Sequence, residues 1–154
     1  MPRARRANPP ALPVLAGLWA LLAGAAVAGE LPSSERYHYQ LFCQGCHSPQ
    51  GDGYRGVPPL RDFVGYYLDD DEGRAFLLRV PGVANAPLED AELAELMNWI
   101  AARFGGESLP ARWRPYTAQE VARHRSRRIA RLPQYRAALL ARLRPGDPDA
   151  PQLP

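Results

Sequence analysis

The chain has 154 residues, with 19 Lys or Arg, 16 Asp or Glu and 3 His, for a formal charge of +3. That length suits one domain and is too short for two ordinary ones. The charge is divided along the chain: positions 29–102 carry 5 arginines and 12 acids, net −7, and positions 103–154 carry 11 arginines and 4 acids, net +7. After position 28 there remain two cysteines and three histidines in no metal-like spacing, which excludes a four-ligand zinc site.

Arg3, Arg5 and Arg6 with no acid among them, the apolar run from Ala11 to Ala28, and the small-x-small ending Ala26-Val27-Ala28 predict a signal peptide over residues 1–28. An uncleaved N-terminal anchor is the alternative, because this run approaches spanning length. Pro13, Gly17 and Gly24 make it a poor lipid-facing helix. No later stretch is apolar enough to span a bilayer, so the mature chain is expected in the bacterial periplasm, soluble or held by that single anchor.

Ser33 or Ser34 can cap a helix running through Tyr37, Gln40 and Leu41 toward Cys43. It ends on Cys43-Gln44-Gly45-Cys46-His47. Two thiols three positions apart can each form a thioether to a vinyl group of one haem, with the adjacent imidazole against the iron. A thioredoxin-like redox pair is the rival, but it wants a βαβ context, and no strand-forming run flanks the motif.

Gly51-Asp52-Gly53-Tyr54-Arg55-Gly56, followed by Val57-Pro58-Pro59-Leu60, predicts a loop that cannot be a helix interior. It lacks the lysine and preceding strand of a phosphate cradle. The acids Asp69 to Glu72 predict a solvated start to a short helix over about 73–79, ended by Pro81-Gly82. They lack the alternating ligand pattern of a calcium loop. Leu88 to Phe104 predicts the longest helix, with Leu88, Leu93, Leu96, Met97, Ile100 and Phe104 as its apolar stripe and Gly105-Gly106 as its stop. A connector holding Trp113 and Tyr116 follows. Thr117 with Glu120 then predicts a capping box for a helix toward Ile129, broken at Pro133, before an Ala-, Leu- and Arg-bearing stretch to about Arg144 and a disordered tail. The expected architecture is all-α, with a domain over 29–106, an Arg-rich helical extension over 107–145 and a tail over 146–154.

From about Ser33 to Phe104 the order of parts resembles the class I bacterial monohaem cytochromes c: a helix ending in Cys43-x-x-Cys46-His47, the Gly51-x-Gly53 loop, Pro58-Pro59-Leu60, a short middle helix, and a last helix opening on Pro87-Leu88-Glu89-Asp90. The resemblance implies a cytochrome c-like helical domain around one covalent haem c. It implies thioethers at Cys43 and Cys46, iron ligation by His47, and a hydrogen bond from the other ring nitrogen of His47 to the Pro58 carbonyl. Tyr37, Phe42, Leu60, Leu93 and Trp99 are candidates for haem packing or the adjoining core.

The departure is on the opposite face of the haem. Where the family places a methionine in the loop before the last helix, this chain reads Val83-Ala84-Asn85-Ala86-Pro87. Met97 is the sole methionine after residue 28. It is the candidate sixth ligand, weighed against a role as core filler. His38, His124, Asn85, water and an empty sixth position stay open.

The expected function is one-electron transfer in the periplasm, with redox proteins as partners and no nucleic acid or membrane span after signal cleavage. The protein is read as an electron carrier and not an enzyme, though it could be the cytochrome subunit of a dehydrogenase. The alternatives are a five-coordinate haem protein binding a small ligand or peroxide, or a haem subunit of a larger oxidoreductase. The extension is read either as packing back onto the acidic half or as a docking surface for an acidic partner.

Overall fold

The computed structural model describes residues 33–145. The predicted signal peptide, 1–28, and the tail, 146–154, lie outside them. Among the described residues there are six α-helices and no strand.

Helix α1, Ser34–Phe42, begins where Ser33 Oγ accepts from the Arg36 amide, and it buries only Tyr39. Helix α2, Asp71–Arg79, starts two residues before the expected position because the Asp70 carboxylate accepts from the Gly73 amide at 2.8 Å. Pro81 does stop it, having no amide to donate. It then opens a further turn, α3, Pro81–Ala84, since a proline suits the first helical position.

Helix α4, Asp90–Phe104, carries the reciprocal capping box of Glu89 and Glu92. Its predicted stripe is the centre of the core: Leu93, Leu96, Met97, Ile100 and Phe104 are each at most 4% exposed. Tyr39 and Trp99 close against Phe104, with ring centroids 5.1 and 5.7 Å from it. Tyr37, expected in the core, is 53% exposed. It stands on the face of α1 opposite Tyr39, as two residues of helical rotation require.

The extension begins as predicted and then departs. The Asn98 side chain pairs with both backbone groups of Tyr116, which fastens the connector to α4. Helix α5, Ala118–His124, has Thr117 as its cap but ends well before Ile129. Glu120 does not reach back to complete a capping box. Its carboxylate instead takes two hydrogen bonds from the guanidinium of Arg74 on α2, at 2.9 and 2.8 Å. Pro133 begins a helix rather than breaking one: α6, Leu132–Leu143, has it in the first turn.

Val121, Leu139 and Leu140 are at most 3% exposed, so α5 and α6 belong to the main core. Arg142 of α6 grips Asp70 with two bonds of 2.8 Å and reaches Glu72 at 2.9 Å. Arg114 pairs with Asp71. The acid run read as a solvated helix start is therefore partly engaged by the arginine-rich half.

The Arg74 side chain is 2% exposed and that of Glu120 12%. Removing one partner of a buried pair leaves the other charge uncompensated. Glu120→Gln is expected to cost about 3 kcal/mol in urea unfolding with the slope unchanged. The hydrogen bonds from Arg142 hold the Asp70 carboxyl down at about 2. A depressed carboxylate contributes stability that is full above its unfolded value, about 3.9, and is lost as pH falls through its folded value. The protein should thus lose stability from about pH 4 to pH 2. In Asp70→Asn, which keeps the helix cap, acid melts should show a shallower loss over that window.

Candidate functional site

The backbone continues from α1 into a hydrogen-bonded turn. The Cys43 amide donates to Tyr39 O, and the Cys46 and His47 amides both donate to Cys43 O at 3.1 and 3.0 Å. One turn thereby carries both thiols and the imidazole, and all three line one cavity. Tyr39 holds the far end of this turn: its hydroxyl lies 2.7 Å from the His47 carbonyl and 2.6 Å from that of Ser48. Ser48 has φ of +34°, a conformation that needs such an anchor. The Tyr39 phenol is buried, and its pKa is pushed up to about 12. Nothing in the sequence distinguished Tyr39 from the other aromatics of α1.

The glycine–proline loop packs beneath. Gly51 adopts φ of +82°, and a Cβ there would lie 2.6 Å from the Phe104 ring. A Cβ on Gly53 would lie 1.8 Å from the Val57 carbonyl. These contacts account for two of the glycines in the run and place Val57 and Pro58 beside the motif.

The motif opens into an apolar cavity of about 350 Å³. Cys43, Cys46, His47 and Pro58 all line it, as do Phe42 and Leu60. Phe63, Val64 and Tyr67 line it too, with Phe76, Leu77 and Val80 from α2 and its end, and Met97 and Ile100 from α4. Leu132 and Arg136 of α6 complete it. The sequence carried no signal for this last contribution, because it depends on how α6 folds back. Among the other candidates, Leu93 lies in the core and Trp99 packs against it, neither lining the cavity, and His38, His124 and Asn85 do not line it either.

The loop expected to hold a methionine is short and held from outside. Arg125 donates to the carbonyls of Leu88 and Ala86 at 2.8 Å each, reaches that of Ala84, and pairs with Asp90 at 3.0 Å. The arginine-rich half thereby fixes the segment on which the family's distal ligand would stand.

Electrostatics suit a metal-bound prosthetic group. Burial pushes the Cys43 thiol up to about 11, with Cys46 adding to the rise. Burial also holds the His47 imidazole below its ordinary value; the Pro58 carbonyl opposes this shift and the charge of Arg136 adds to it. A neutral imidazole keeps a lone pair for a metal. Its Nδ1 is buried with no hydrogen-bond partner, so the expected bond to the Pro58 carbonyl is not closed here, although that carbonyl still works to raise the imidazole pKa. An apolar cavity, two thiols on one turn and a neutral imidazole fit a haem: the cysteines would hold its periphery and His47 its iron.

A helical fold with these groups lining one apolar cavity is the arrangement that a protein built around a covalently attached haem requires. No protein-family model matches the chain. It is similar to two curated proteins, each described as cytochrome c-552 and both from Thermus thermophilus. Each is 31% identical over 106 residues that take in 56% of this chain, and 81% and 72% of the respective relatives. The chain belongs to the c-type cytochromes, with the all-helical cytochrome c-like fold. Membership implies haem c and points to an electron carrier rather than an enzyme.

Tyr39→Phe removes the anchor of the attachment turn while keeping the ring packed on Phe104. It should cost about 1 kcal/mol in denaturant melts, the worth of a typical hydrogen bond.

Proposed function

We propose that the chain is a periplasmic class I monohaem cytochrome c that relays single electrons between redox proteins. The observation that carries this reading is the convergence of Cys43, Cys46 and His47 on one apolar cavity. The sequence has a single Cys-x-x-Cys-His, in keeping with one haem. When bound, the haem supplies an iron that gains and loses one electron with no substrate bond made or broken. Cys43 and Cys46 would fix the ring, His47 would ligate the iron, and the Pro58 carbonyl would orient the imidazole from its buried side. The apolar walls would limit solvent access to the group they enclose, which helps set its potential.

Met97 is our candidate for the sixth ligand. It lines the same cavity, while the histidines outside the motif and Asn85 do not. A second reading, a five-coordinate haem that takes a small ligand, is favoured by the methionine-free loop 83–87.

The export signal read from residues 1–28 supports a periplasmic site of action. Among the described residues no helix is long and apolar enough to cross a membrane. For partners we favour acidic redox proteins: Pro81 borders both the haem cavity and a groove lined by Arg79, Arg125 and Arg128. Cationic charge beside a haem edge speeds encounter with such partners.

Visible absorption of the purified protein separates the two readings. The carrier should retain covalent haem after denaturation and show a sharp low-spin reduced spectrum unchanged by carbon monoxide. Prompt carbon monoxide binding would sink the carrier reading in favour of the second. Met97→Ala should convert the spectrum to high spin if the thioether binds iron. If Met97 is only core, it should cost about 2–5 kcal/mol of stability with the spectrum unchanged.

A further inference from the structure

Most arginines that tie the extension to the rest of the fold meet acids: Arg74 with Glu120, Arg125 with Asp90, Arg142 with Asp70 and Glu72. Arg136 is different. It lies one turn after Leu132 on α6, and both line the haem cavity. Among the described residues no carboxylate pairs with Arg136. Its aromatic neighbour is the Phe76 ring, 5.9 Å from the guanidinium carbon to the centroid, the outer reach of a cation–π contact. Burial pulls its pKa down, and Tyr67 acts in the opposite sense. Tyr67, 3% exposed, lines the same cavity with its phenol in the field of Arg136.

A guanidinium facing an apolar cavity is costly unless an anion meets it. The other polar side chains lining that cavity are Cys43, Cys46, His47 and Tyr67, none of which supplies a negative charge once the thiols are thioethers, the imidazole is neutral and the buried phenol keeps its proton. Haem is an apolar ring except for its two propionate side chains, which are carboxylates. Arg is the side chain best shaped to take a carboxylate through two parallel N–H donors, and a phenol hydroxyl adds a third.

We propose that Arg136 and Tyr67 form the receptor for a haem propionate, so that α6 completes the haem pocket and helps set its reduction potential. The inference rests on the haem c reading above. A fixed positive charge near the iron disfavours the ferric state, which carries one more positive charge than the ferrous, and so raises the potential. It also holds the propionate ionised, so the potential stays level through the neutral pH range. Without Arg136 the propionate would take up a proton at higher pH, and more readily in the ferrous protein. The potential would then fall as pH rises through that range.

The test is redox titration of the haem-loaded protein from about pH 5 to 9, spanning the neutral range in which a propionate freed of Arg136 would titrate, for the native chain and for Arg136→Gln, Arg136→Lys and Tyr67→Phe. The expected result is a lower potential in Arg136→Gln at the alkaline end, narrowing toward the native value as pH falls. Arg136→Lys should keep most of the native potential, and Tyr67→Phe should show a smaller shift in the same sense. Tyr67→Phe preserves the ring and reads the same receptor should Arg136→Gln fail to fold.

Native potential and pH profile in both Arg136→Gln and Tyr67→Phe would overturn the proposal. So would a loss in Arg136→Lys equal to that in Arg136→Gln, since only packing would then be involved. Azide affinity of the ferric protein is the third arm: a change there with the pH profile intact would assign Arg136 to an anion on the iron instead. A native chain that carries no covalent haem would defeat the haem reading itself, a result distinct from all of these.

Discussion

The structure depends on presenting two thiols and one imidazole from a single turn into a cavity whose lining is almost wholly apolar. A turn of that kind leaves carbonyls at its C-terminal end with no helical partner. Here the hydroxyl of Tyr39 meets those of His47 and Ser48. The same ring is wedged against Trp99 and Phe104, so the geometry of the attachment turn is tied to the packing of α1 on α4. Gly51, pressed against Phe104, ties the following loop to the same point. The walls of the cavity are then the inner faces of whatever packs around this junction.

The opposed charges of the two halves are used at close range. Arg74 is buried with Glu120 and lies 4.2 Å from the centroid of the Tyr116 ring. Arg125 gathers the carbonyls of the loop before α4, and Arg142 takes the cap of α2. Exposed ion pairs contribute little to stability. The buried one differs, because neither charge could be left alone without a large desolvation cost. The extension is thus held by a core of Val121, Leu139 and Leu140 and by the buried Arg74–Glu120 pair, to which the surface pairs add little. Cutting the chain at Arg112 would expose this apolar surface, so truncation cannot isolate the role of the arginines from the stability of the fold.

The elements whose residues interact with near neighbours were legible in advance. Caps at Ser33 and Thr117, the stripe of α4 and the break at Pro81 all follow from local hydrogen bonding and helical period. The departures arose where a distant partner prevailed over a local one. Glu120 abandoned its capping box because Arg74, 46 positions away, offers a buried charge in place of an exposed amide. Pro133 reads as a breaker in one register and as a first-turn residue in another, and only the packing of Leu139 and Leu140 selects the second. Tyr37 and Tyr39 are equivalent by composition, and the direction of α1 against α4 buries one and exposes the other.

The proposed attachment site was legible in five consecutive residues, since two thiols three positions apart with an adjacent imidazole suit a haem periphery and its iron without help from the rest of the chain. The absence of a methionine from the loop at 83–87 was equally plain before folding. What surrounds that chemistry came only from the packed fold: Met97 reaches the cavity while His38 and His124 do not, and α6 brings Leu132 and Arg136 to its wall. The reason is physical. Thioether spacing is a covalent property of a short segment, whereas the walls of a cavity are made by segments far apart in the chain, and only burial of their shared apolar surface brings them together.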